Sequence, residues 1–125
     1  MNVWILSAGG LGLLTALIHL FAGQADPVRP FLKSNLEDVP KATLLACWHL
    51  VSVTLFVSSL ALLYVGWHDL QAFYLATRLV GALYLLFALV FIAVGWYFFA
   101  NKVFIKLPQW TLLLPIGLLA SYGAS

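Results

Sequence analysis

The sequence predicts an all-α polytopic membrane protein, a bundle of four transmembrane helices with both termini on the same side. Hydrophobic residues make up 64% of the 125-residue chain and charged residues only 8%, against about 25% charged in a soluble domain. The apolar runs are long enough to cross a bilayer and have no polar face. One polar segment, residues 23–41, holds six of the ten Asp, Glu, Lys and Arg residues. We therefore expect a single membrane domain over residues 1–125.

The first predicted span covers residues 3–22, a run without formal charge. At the rise of an α-helix this run is about 30 Å long, the thickness of the hydrocarbon core. It lacks the positive leader of a signal peptide, so we expect it to be retained. One face carries small residues that let helix backbones approach closely in lipid, and it ends in a histidine. This face consists of Ala8, Gly12, Thr15, Ala16 and His19.

The polar loop 23–41 contains three prolines, which exclude one continuous helix through it. Two patterns could start the next helix: Ser34 followed by Glu37, which matches a capping box, and Asp38 ahead of Pro40. The second predicted span, residues 42–66, is long enough to cross the bilayer with some tilt.

The third predicted span covers residues 72–100 and follows so short a turn that we expect it to be an antiparallel neighbour of the second. Gly81, Ala88 and Gly95 recur every seven residues along it and indicate a close-packed seam. The fourth span, residues 107–122, is close to the lower length limit for crossing, and we expect Pro115 to be tolerated inside it.

Charge asymmetry predicts the orientation of these spans. With four crossings, the two longer loops lie opposite the termini, and nearly all basic side chains fall in those loops. The loop residues are Arg29, Lys33, Lys41, Lys102 and Lys106. We therefore expect loops 23–41 and 101–109 to be cytoplasmic and both termini to lie outside, in a bacterial inner membrane.

Two histidines near the cytoplasmic ends of the first two spans form the candidate site. If their helix faces meet, His19 and His49 would share a pocket, with Gln24, Tyr97 and Gln109 close to it. Two neutral imidazoles facing across a bundle are the usual axial ligands of a b-type haem, and with Cys47 or Gln24 they could hold a metal ion. The competing explanation, which the sequence favours, is that each histidine hydrogen-bonds a neighbouring helix or extends towards the headgroups.

Arg78 is the one formal charge close to a span. The sequence favours an interfacial role, in which it extends to lipid phosphate or pairs with Asp69, over a role as an anion contact in a cavity.

Three functional hypotheses remain open. The chain contains no phosphate loop, nucleophile elbow, HExxH or CxxC motif, and its basic residues are too few for a nucleic-acid partner. The leading hypothesis is a non-enzymatic module of the lipid bilayer, either an accessory subunit of a partner membrane protein or a homo-oligomer. The alternatives are a haem- or metal-binding protein that uses His19 and His49, and a channel or carrier for a small solute.

Overall fold

The computed structural model describes all residues from Met1 to Ser125, and it is 89% helical without strands. Three helices are long and apolar enough to cross a membrane, and a fourth apolar helix is shorter. The six α-helices are α1 (Val3–Gly23), α2 (Arg29–Leu32), α3 (Asp38–His68), α4 (Tyr74–Phe99), α5 (Val103–Lys106) and α6 (Trp110–Gly123). The all-helical prediction is thus confirmed.

The helix termini follow from local chemistry. Asn2 caps α1, since its side-chain oxygen accepts a hydrogen bond from the backbone N–H of Ile5. Neither capping pattern considered for α3 is used: the helix begins at Asp38 after an extended Glu37 without a side-chain cap, and the Ser34 hydroxyl donates to the carbonyl of Phe31. α3 ends at His68, because the next residue, Asp69, adopts the left-handed conformation, which Asp tolerates better than most residues.

The four long helices pack in the spatial order α3, α1, α6, α4. Small residues allow each of these close approaches: Gly9 and Gly66 bring together α1 and α3, Gly123 lies against Ile5 between α6 and α1, and Gly81 lies against the Gly117 carbonyl between α4 and α6. The small-residue face of α1 is buried as predicted, and so is the seam of α4 at Gly81, Ala88 and Gly95. α3 and α4 were expected to be neighbours. Their backbones are not closely packed, and they contact each other through side chains such as Ser58 and Tyr84.

The bundle has two distinct ends. Asn2 donates a hydrogen bond to the Gly123 carbonyl, and the turn at Asp69 lies beside them, so we call this the terminal end. The opposite end carries the connections 24–37 and 100–109, and we call it the loop end.

Candidate functional site

His19 lies at the loop end of α1 and contacts α3. Its ring stacks on the indole of Trp48, with ring centroids 3.9 Å apart and planes inclined by 15°. Its Nε2 lies 3.4 Å from the Trp48 carbonyl oxygen. Since a carbonyl can only accept, Nε2 is the donor in this contact. The prediction that His19 points at another helix is confirmed.

Trp48 fits closely against α1 because Gly23 leaves room for it. A side chain on Gly23 would overlap the indole ring. The Trp48 indole N–H is buried without a hydrogen-bond partner in the chain, and so is that of Trp110. His19, Gly23 and Trp48 therefore form a packed aromatic contact between α1 and α3.

The other residues of the predicted pocket do not join this contact. His49 is exposed, together with Ala42 and Ala46 on the same face of α3. Gln24, Tyr97 and Gln109 are exposed as well, and Tyr97 is 84% exposed. No hydrogen bond joins His19 to His49, and no three His, Cys, Asp or Glu side chains converge. Haem or metal binding by the two histidines stays a prediction from the sequence.

Arg78 is exposed and has a structural role that the sequence did not indicate. Its Nε donates a 2.7 Å hydrogen bond to the Ala124 carbonyl, just beyond the end of α6. Asp69 instead lies 4.0 Å from the N-terminal amine of Met1. Because the last carbonyls of a helix have no partner within it, a cation placed there stabilises the helix end. Arg78 thereby joins α4 to α6.

Asn2 is the centre of a hydrogen-bonded network at the terminal end, which sequence analysis missed. Its Nδ2 donates to the Gly123 carbonyl at 2.7 Å and to the Tyr74 hydroxyl at 2.9 Å. Its backbone N–H donates to the Gly66 carbonyl at 2.7 Å. The Tyr74 hydroxyl in turn donates to Asp69 Oδ1 at 2.7 Å. Asn2 therefore contacts the ends of three other helices while it caps its own.

A second network lies in the middle of the bundle. Tyr84 of α4 is fully buried, and its hydroxyl lies 2.8 Å from Ser58 Oγ and 3.5 Å from Ser59 Oγ on α3. Both serine hydroxyls donate to carbonyls of their own helix, those of Thr54 and Leu55. The proton between Tyr84 and Ser58 is therefore donated by the tyrosine. This bond bridges α3 and α4, whose backbones are not closely packed.

Between Tyr84 and the terminal end, α3 and α4 are separated by a crevice of about 100 Å³. Its wall is apolar except for one threonine. The lining residues are Ala61, Leu62, Val65, Phe73, Ala76, Thr77 and Val80. A shallower apolar groove of about 390 Å³ lies between α1 and α6, lined by Trp4, Leu118, Leu119 and Tyr122.

The hydrogen-bonded networks hold the helices together, and the crevice and the groove can accept apolar groups of a molecule that lies beside the bundle. No protein-family model, no curated protein and no solved structure matches this chain.

Proposed function

We propose that the protein is a non-enzymatic membrane module that acts by side-to-side association, either with a partner membrane protein or with a second copy of itself. The observation that carries this proposal is the crevice between α3 and α4. Every other adjacent pair of long helices packs backbone to backbone, whereas this pair leaves a gap lined by apolar side chains. An apolar side chain from a neighbouring helix would fill it and regain the dispersion contacts that its walls lack.

The internal use of small residues supports the same conclusion. In lipid, helices associate through small residues and close packing, because lipid tails are as apolar as leucine. Glycines such as Gly9, Gly81 and Gly117 already contact other helices of the chain. Exposed Ala61 and Ala76, on opposite walls of the crevice, leave a small-residue surface open to a partner.

The proposal includes a four-span topology in a bacterial inner membrane, with loops 23–41 and 101–109 cytoplasmic and both termini outside. α6 spans about 21 Å as a helix, so it needs the residues from Leu107 onwards, or local thinning of the bilayer, to cross. In support of crossing, α6 packs against α1 and α4 and buries Leu113, Ile116 and Ala120.

Mass measurement of the protein extracted from its native membranes tests the association. We expect a dimer or a complex with a second membrane protein. Ala76→Trp would fill the crevice from within and reduce the mass to that of the monomer in its detergent shell. Val90→Trp, on an exposed face of the same helix, is the matched control and should leave the complex intact. A wild-type protein that is strictly monomeric, or a complex insensitive to Ala76→Trp, would refute the proposal.

A further inference from the structure

The last turn of α4 and the connection that follows it, together residues 96–109, form a surface that the association proposal does not use. It is basic, since Lys102 and Lys106 are exposed and neither takes part in an ion pair. The sequence contains no Asp or Glu after Asp69. The positive charge of this segment, which we call the α4–α6 corner, is therefore not neutralised within the chain.

The corner is also strongly apolar and exposed. Tyr97 and Ile105 are each 84% exposed and Phe98 is 69% exposed. The remaining exposed large side chains are Trp96, Phe99 and Phe104. Aromatic rings beside lysines are typical of the boundary between hydrocarbon and headgroups, where the rings remain in the apolar layer and the ammonium groups extend towards phosphate.

Packing holds the corner in a defined shape. Val103 is fully buried, and it lies so close to Gly95 of α4 that a side chain at Gly95 would overlap it. Ala100 turns the chain with φ 49° and ψ −133°, a conformation rarely adopted by residues other than glycine. Lys102, which precedes α5, and Lys106, its last residue, are thus carried by a packed turn.

We propose that the α4–α6 corner binds the headgroups of anionic glycerophospholipids in the surrounding leaflet. Each lysine near an anionic membrane surface contributes about 1 kcal/mol of attraction, and the corner carries two exposed lysines four residues apart. The loop 23–41 is different, because Asp26, Glu37 and Asp38 offset its three basic residues. The lipid preference therefore resides in the corner.

Native mass spectrometry of the protein released from nanodiscs with equal phosphatidylglycerol and phosphatidylcholine tests this proposal. We expect the wild type to retain phosphatidylglycerol preferentially. The double variant Lys102→Gln/Lys106→Gln should reduce that preference about thirtyfold, given about 1 kcal/mol for each of the two lysines. Lys33→Gln/Lys41→Gln, which removes the same charge from the balanced loop, should leave it nearly unchanged.

Three further outcomes decide the result. The pair Lys102→Arg/Lys106→Arg should retain the preference, because it keeps the charge. If both Gln variants lost the preference for phosphatidylglycerol equally, only the net charge of the protein would matter. That result would overturn the proposal that the α4–α6 corner is the binding site. Displacement of phosphatidylglycerol by millimolar inorganic phosphate would identify a free-phosphate site and overturn the lipid proposal. Unchanged thermal unfolding of each variant shows that the bundle is intact. Lipid retention is measured on whichever oligomer the nanodisc releases, so this test does not depend on the outcome of the association test.

Discussion

At the scale of single residues, Asn2 makes an unusually complete set of hydrogen bonds. Its side chain caps α1 and donates to two other helix ends, and its backbone N–H donates to Gly66. An amide side chain offers two donor hydrogens and one acceptor oxygen, and all of them are used here. Loss of the side chain would therefore leave several partially buried groups without partners.

We expect Asn2→Ala to destabilise the protein by about 2 kcal/mol, the sum of a lost helix cap and two lost hydrogen bonds at their usual lower values. Asn101→Ala is the matched control, because Asn101 is exposed in the α4–α6 connection. Thermal unfolding followed by tryptophan fluorescence measures both variants. Equal stability of the two would contradict the role assigned to Asn2.

The network of Tyr84 and Ser58 predicts an asymmetry between two variants. Tyr84→Phe removes a donor but leaves both serines bonded to their own carbonyls, so we expect a cost of about 0.6 kcal/mol, the average for such bonds in membrane bundles. Ser58→Ala leaves the buried Tyr84 hydroxyl with only Ser59 at 3.5 Å, so we expect about 1–3 kcal/mol. Reversible unfolding in mixed detergent would rank them, and the reverse order would refute the assigned direction of the bond.

The sequence could predict some of these residues and not others. The small-residue face of α1 and the inward direction of His19 follow from helical periodicity, which is visible in a single run of residues. Asn2 and Arg78 bond to carbonyls 121 and 46 residues away, and no local pattern identifies such partners. His49 is exposed together with Ala42 and Ala46, and the nearly uniform hydrophobicity of this run does not indicate which face of α3 packs inward.

At the scale of helices, the seam between α4 and α6 depends on two opposed glycines. A side chain on Gly81 would lie 3.0 Å from the Gly117 carbonyl oxygen and 3.1 Å from the Ser121 backbone nitrogen. Both are backbone atoms, which cannot move without separating the helices. Such overpacking usually costs about 1–3 kcal/mol.

We therefore expect Gly81→Ala to lower the unfolding temperature of the protein. Gly10→Ala is the control, since a side chain there meets no atom within 4 Å. It should be neutral or slightly stabilising, because alanine is the better helix former. A Gly81→Ala variant as stable as Gly10→Ala would show that α4 and α6 are not in contact at this seam.

Helix ends were less predictable than helix cores. Composition and length identified the runs that become α1, α3 and α4, but α3 begins at Asp38 and ends at His68, beyond both limits predicted for the second span. Hydropathy indicates only which residues are apolar enough to lie in lipid. A helix can continue through polar residues until a residue in another conformation, here the left-handed Asp69, ends it.

At the scale of the whole molecule, the orientation proposed for the bundle gives a labelling pattern. With the exposed Cys47 replaced by alanine, cysteine introduced by Ser125→Cys should react with an impermeant maleimide in intact cells. Cysteine introduced by Lys33→Cys or Lys102→Cys should react only after permeabilisation. Labelling of position 33 in intact cells would reverse the orientation, and protection of position 125 together with position 102 would exclude a crossing by α6.

The hydrogen bonds around Asn2 fasten the helices to one another at the terminal end, and the loop end has no comparable network between helix ends. The consequence is a difference in mobility between the two ends of the bundle. Amide hydrogens of residues 66–74 and 120–125 should exchange with deuterium more slowly than those of residues 24–37 and 100–109. Asn2→Ala should remove most of that difference. In the wild-type protein, we therefore expect the bundle to open and close mainly at its loop end, while the helix ends around Asn2 stay in place.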